Sequence, residues 1–275
     1  HVVRFEDMLV IGGTLLEEIK LNYLEYAKYD FIISYNPILE NIELNSAQFI
    51  GYLSIYNNDS LVSIDGVNAL EENNGLDISS NISLKSISGF NTLEATNHLV
   101  ISNNQSLYNI TGFDSLESVF YLVLGENSLI NDISVFQNIQ PESIDNLSLY
   151  QNPSLSGCNL PNFCTYLSSP SINATISNNA QGCASKQEIL DNCASGECPY
   201  STTWDGFSWS NGQPDHLRKA VISGELILES DLEACAIEVT ENGNLVIQTD
   251  GVLTVNGSIV NLGSAEYFIV ESDAN

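Results

Sequence analysis

The residues of this chain best suited to chemistry are six cysteines, three histidines and several adjacent carboxylates. The cysteines stand at Cys158, Cys164, Cys183, Cys193, Cys198 and Cys235, five of them within 158–198 and none in a Cys-x-x-Cys pair. A zinc site wants cysteine or histidine pairs at short spacing, and His1, His98 and His216 stand at such a spacing to no cysteine pair. Disulfides are therefore expected, together with an oxidising, extracellular compartment, and no metal. His98 precedes a strand and reads as a turn residue, while His216 follows Pro214-Asp215 in a loop. Glu17-Glu18 and Glu71-Glu72 have the residue type of a glycosidase pair, but such neighbours arise by number alone in a chain with 35 Asp and Glu. No His-Glu-x-x-His, Gly-x-Ser-x-Gly, phosphate loop or calcium loop occurs in the sequence, so neither catalysis nor a cofactor is expected.

Against those acids stand only seven Lys and Arg, a formal charge of −28. A field of that sign repels nucleic acid and anionic membrane surfaces. The acids are spread singly, as on a solvated surface. No apolar run approaches the ~18 residues that span a bilayer. Nucleic-acid binding and membrane insertion are both excluded as expectations.

The elements that must position these residues come from a repeat. Phrases such as "GYLSIYNNDSL" at 51–61 and "NHLVISNNQSL" at 97–107 align on Leu53, Leu76, Leu99, Leu122 and Leu147, at intervals of 23, 23, 23 and 25 residues. Taking that leucine as position 0, apolar residues recur at +2, +8, +11 and +17, as in Ile78, Leu84, Ile87 and Leu93. One such unit cannot bury its own apolar side, so the units must stack as a solenoid. Positions 0 and +2 alternate as a short strand with one inward face, and stacking then makes a parallel sheet. Position +5 is Asn58, Asn81, Asn104, Asn127 and Asn152. An amide that both donates and accepts can satisfy the backbone of its own bend and of the neighbouring coil.

More worn copies begin at Phe31 (with Ile33, Asn36 and Leu39), at Leu9 (with Ile11, Leu16 and Ile19, one residue deleted) and at Ala174 (with Ile176 and Asn179), giving about eight coils between 9 and 180.

The pattern Leu-x-Ile-x-x-Asn-x-x-Leu-x-x-Ile-x-Gly-Phe-x-x-Leu of 99–116 resembles the leucine-rich repeats of receptor L-domain-like proteins, over residues 9–193. The resemblance implies a right-handed solenoid of short parallel coils and a role in recognition or adhesion. Cys158 replaces the +11 isoleucine and should point inward. Matching coil positions favour Cys158–Cys183 and leave Cys164 with Cys193, although four cysteines allow three pairings. Residues 153–193 read as a disulfide-closed cap on the last coil.

Beyond Cys198 the chain turns to very short apolar runs broken by glycine, among them Ile237-Glu238-Val239, Leu245-Val246-Ile247, Val252-Leu253-Thr254-Val255 and Ile259-Val260. A second small β-solenoid or β-sandwich is expected over 220–275, read as truncated, with 194–219 as linker and aromatic entrance segment and Cys198–Cys235 pinning that segment to the body. The stretch "TTWDGFSWSNGQPD" at 202–215 and the runs after it resemble a module of secreted multidomain Bacteroidetes proteins that also carry L-domain-like repeats. The overall expectation is a mainly β protein of 1–193 plus a second short-strand domain.

Two surfaces are candidates for binding. Trp204 and Trp209, with Phe207 between them, could stack on sugar rings or could plug the open end of the second domain. Tyr56 and Tyr150 at +3 point outward and flank a column of Ser79, Ser102 and Gly125, a shallow trough that could hold a glycan or peptide ligand, although ordinary surface filling is the stronger expectation for them. The +1 column of Ser54, Asp77, Val100, Val123, Ser148 and Thr175 is too mixed for an ice-binding face. The chain is thus expected to be a non-catalytic, secreted or cell-surface recognition protein. The rival expectation is a carbohydrate-binding accessory region of a larger polysaccharide-processing enzyme.

Overall fold

A computed structural model describes residues 3–196, 198–263 and 268–270; His1, and positions 264–267 and 271–275 of the domain expected over 220–275, lie outside them. The chain divides into two units, His1–Asp191 and Asn192–Asn275. It is mainly β, a parallel β-solenoid of about 11 turns in the two units together.

In the first unit the strands containing position 0 form one long parallel sheet. Its rows are Val3–Phe5 with Leu9–Gly12, then Leu24–Ser34, Phe49–Tyr56, Glu72–Ser79, Ala95–Ser102, Ser118–Gly125, Asn146–Tyr150 and Asn173–Ser177. Register is unshifted at the repeat's key positions: Leu53 pairs with Leu76, Leu76 with Leu99, Leu99 with Leu122, and Leu147 with both Leu122 and Ala174. Positions 0, +2, +8, +11 and +17 of the central coils are buried. The +11 residues form a second, shorter parallel ladder, Ser63–Ile64, Ser86–Ile87 and Asn109–Ile110. The buried +14 phenylalanines meet coil on coil: Phe90 stacks on Phe113 with centroids 5.1 Å apart, and Phe113 meets Phe136 tilted at 5.7 Å. The first coil departs from expectation. Ile19 is buried, but Leu16, expected inward, is 44% exposed.

The corner after each strand is built from two consecutive positions. Residue +4 adopts left-handed backbone in every coil: Tyr35, Asn57, Ser80, Asn103, Glu126, Gln151 and Asn178 have φ between 54° and 59°, and Gly13 has φ 66°. That twist interrupts the in–out alternation of the strand, so that +5 points inward. Each buried +5 asparagine then bonds in two directions. The backbone N–H of Asn81 donates to Oδ1 of Asn104 (3.0 Å), and Nδ2 of Asn81 donates to the Ile55 carbonyl of the coil before (2.9 Å). The same pair of bonds recurs at Asn58, Asn104, Asn127 and Asn152. The ladder extends through Asn36 to Thr14, whose backbone N–H donates to Asn36 Oδ1, and ends at Asn179, whose Nδ2 donates to Leu149 O.

The coil of Leu147, one before the last, carries a helix, Pro161–Ser168, which the repeat did not foreshadow. Asn162 in it donates to the carbonyls of Phe136 and Ile139 (2.8 and 3.0 Å), groups that the next coil would otherwise bond. Cys158 and Cys183, both buried, are joined across the end with Cα atoms 5.4 Å apart. Cys164 and Cys193 are disulfide-bonded as well.

In the second unit all the ladders are parallel. The chain visits three of them in rotation: Arg218–Ile222, Glu225–Leu228 and Leu232–Ala234, then Ala236–Val239, Asn244–Ile247 and Leu253–Val255 one level on. Consecutive strands therefore lie in different sheets, which is the winding of a solenoid rather than the hairpin pairing of a sandwich. Tyr200–Trp204 is the first rung of this winding, parallel to Arg218–Ile222, so the segment read as a linker over 194–219 belongs to the unit itself. Cys198 and Cys235 are bonded, with Cα atoms 5.8 Å apart.

Asn104→Ala removes the bonds that the buried Asn81 N–H and the Ile78 carbonyl make to this side chain and should cost about 3 kcal/mol in urea unfolding. Glu126→Gly, which removes the Cβ penalty at a left-handed position, should instead stabilise by about 0.5–1 kcal/mol. Equal effects at 104 and 126 would contradict this account of the corner.

Candidate functional site

The outer face of the long sheet presents columns at −1, +1 and +3, in register from coil to coil. The −1 column reads Tyr52, Gly75, His98, Tyr121, Asn146 and Asn173. His98 lies inside the strand Ala95–Ser102, not in a turn as the sequence suggested. Its ring stacks on Tyr121 with centroids 4.8 Å apart and planes at 14°, and Phe120 meets Tyr121 edge-on at 4.9 Å.

Tyr52 is disposed differently. A methyl group built on Gly75 would run into its ring, nearest Cε2 and almost as near the neighbouring Cδ2 and Cζ. A point beyond the ring's rim would be distinctly farther from both neighbours of the closest atom, so the ring lies face-down on Gly75. Its other face looks away from the sheet, and the side chain is half-buried. The far edge of the ring leans toward His98, with centroids 6.5 Å apart. Tyr150 repeats the arrangement at +3. A methyl on Gly125 would be nearest Cζ and nearly as near Cε1 and Cε2, which lays that ring on the coil before it.

The expected trough is thereby shortened. Its third floor residue, Gly125, is covered by Tyr150, leaving Ser79 and Ser102 as open floor. Tyr56, at the other end, makes an edge contact with Tyr35 at 5.6 Å, on the side away from the trough. Beside Tyr52, the +1 residue Asp77 has one oxygen, Oδ1, shut off from solvent with no hydrogen-bond partner. Burial raises its pKa above the ordinary carboxylate value, opposed by a bond from Ser79. Burial also raises the pKa of Tyr52, reinforced by the charges of Asp77 and Asp30.

Elsewhere the aromatic candidates are engaged. Trp204 and Trp209 contact each other at 5.3 Å, pack against the apolar core of the second unit, and Trp204 Nε1 donates to the Glu225 carbonyl (2.8 Å). Phe207, between them, is 90% exposed at the tip of a turn held by Asp205, whose carboxylate accepts from the backbone N–H groups of Phe207 and Ser208. His216 is exposed in the turn before Arg218–Ile222.

No protein-family profile, no curated protein and no solved structure matches this chain.

The residues of this face that sequence reasoning did not place in the site are Tyr52, Gly75, His98 and Tyr121. Their signal was available: the alternation of positions 0 and +2 extends one residue upstream, and that outward column holds three ring-bearing residues and a glycine.

Asp77→Asn removes a desolvated charge without changing shape. Because the folded pKa of Asp77 is raised, the folded chain holds a proton that the unfolded chain has lost, and wild-type stability falls as pH rises through that window. The variant should be more stable by about 1 kcal/mol at neutral pH, with the gain vanishing below the ordinary carboxylate pKa. Thermal melting across this range measures it, and a variant equally or less stable at pH 7 would contradict it.

Proposed function

We propose that the protein is a non-catalytic extracellular or cell-surface recognition protein of the receptor L-domain-like, leucine-rich-repeat kind, of the type secreted by Bacteroidetes. The outer face of its first unit carries the binding surface, and the second unit spaces or anchors it. The observation that carries this reading is the set of ring-bearing side chains aligned on that face and held in fixed attitudes by neighbouring coils. A face of this kind offers a partner rigid contact area at little entropic cost. The cysteines support an oxidising location, since disulfides persist there and are rare in the cytosol. Among the described residues no helix is long and apolar enough to cross a membrane. The flat tyrosines also favour a second reading, a carbohydrate-binding accessory region of a larger polysaccharide-processing enzyme, which a catalytic domain in the full-length reading frame would support.

Labelled protein should bind intact cells or cell-wall material saturably. The triple variant Tyr52→Ala/Tyr121→Ala/Tyr150→Ala should weaken binding at least tenfold, whereas Tyr108→Ala, exposed on another side of the coil, should leave it unchanged. Binding insensitive to the triple variant, or absent from every surface tried, would contradict the assignment of the face.

A further inference from the structure

We propose that this sheet face binds an extended, uncharged polysaccharide, laid obliquely across the coils with one sugar ring on Tyr52 and another on Tyr150. The proposal rests on the recognition reading above and assigns its ligand class.

Three features converge on such a ligand. The first is the attitude of the two rings. Each is seated on a glycine of an adjoining coil, which covers one face of the ring while the side chain as a whole stays partly exposed. A pyranose presents a flat patch of C–H bonds that packs on an aromatic face of this kind. The stacked pair His98–Tyr121 differs, because each ring there covers a face of the other.

The second feature is spacing. Gly75 and Gly125 are two coils and four strand positions apart in the register. At ~4.8 Å per strand and ~3.3 Å per residue the two seats are roughly 16 Å apart, the reach of about four extended sugar units. The direct line between them crosses the coil of Leu99, where Val100 supplies a small apolar floor and the hydroxyls of Ser79 and Ser102 lie to one side.

The third is charge. From the coil of Leu53 to that of Ala174, the outward −1, +1 and +3 columns carry Asp77 as their sole carboxylate and neither Lys nor Arg. Neutral hydroxyl-rich chains meet no repulsion on such a surface. Acidic glycans meet the field of a chain with a formal charge of −28. A polypeptide that recognises a sheet commonly adds along its edge, through backbone hydrogen bonds, and makes no use of flat rings on the face.

The test uses the whole 275-residue protein in affinity electrophoresis through gels cast with soluble β-glucan, xylan, mannan or polygalacturonate, followed by calorimetry with oligosaccharides of the retained type. At least one neutral polysaccharide should retard the protein and polygalacturonate should not. A six-unit oligosaccharide should bind at least tenfold tighter than a two-unit one, and Tyr52→Ala and Tyr150→Ala should each weaken binding by about tenfold. Gly75→Ala should do the same while leaving the tyrosine in place, because it lifts the ring from its seat. If any of these variants melts earlier than wild type, Tyr52→Phe and Tyr150→Phe decide: both keep the ring and must bind as wild type. Failure of every neutral polysaccharide to retard the protein, or retardation that survives both alanine variants, overturns the proposal. Cell binding that persists after periodate oxidation of surface sugars would identify a protein ligand, overturning the glycan assignment while leaving the recognition reading intact.

Discussion

The structure of the first unit depends on the inward amide at each corner. A strand can be followed by a sharp bend only if the backbone groups freed by the bend find partners, since they are buried and cannot turn to water. The +5 asparagine meets this need with three functions at once: its own N–H bonds the next coil's Oδ1, its Oδ1 receives the previous coil's N–H, and its Nδ2 reaches the previous strand's carbonyl. Aspartate would lose the donor, and leucine would lose both. Because the bonds run between coils, the ladder also fixes their relative register. Inward leucines then sit above leucines, and outward columns line up without drift.

That register has an energetic counterpart. Each coil contacts only its neighbours, so stability is close to a sum of coil and interface terms. The left-handed residue at +4 costs each coil on the order of 1 kcal/mol where it is neither Gly nor Asn. What offsets it is the pair of buried hydrogen bonds that the twist permits, together with complete burial of the leucines at 0 and +8. The cost is thus repeated in every coil, and so is the compensation. In the coil of Leu147, one before the last, the chain substitutes a helix, whose Asn162 bonds the carbonyls of Phe136 and Ile139 in the coil before it, and a buried disulfide ties this coil to the last one.

Much of this architecture was legible because it is periodic in residue type. Leucine and isoleucine at 0, +2, +8, +11 and +17 and asparagine at +5 are the positions where side-chain chemistry is dictated by stacking. The left-handed +4 position was hidden because backbone conformation constrains it more than chemistry does: Tyr, Ser, Glu and Gln all occur there beside Asn. The two helices in the cap, Pro161–Ser168 and Lys186–Ser195, escaped because they occur once each, outside any period. His98 was taken for a turn residue because the strand starts earlier than its apolar alternation does. The site followed the same division. Tyr56 and Tyr150 were visible as outward residues, but that Tyr150 would lie down on Gly125 depends on a glycine one coil away, a relation that appears only once the coils are superposed.

Those glycine seats have a structural rival explanation, since a ring laid over a glycine shields backbone that lacks a side chain and so restores some of the stability that glycine forfeits in a strand. The composition of the columns weighs against that as the whole account. Neighbouring places on the same face hold serine, valine and threonine, side chains that need no shielding and suit a strand better than glycine. A column selected for stability alone would continue them through 75 and 125. Glycine at both places lowers strand propensity and admits a ring laid flat on the neighbouring coil. The combination of a weaker strand and a ring laid flat is what the proposed binding surface would use.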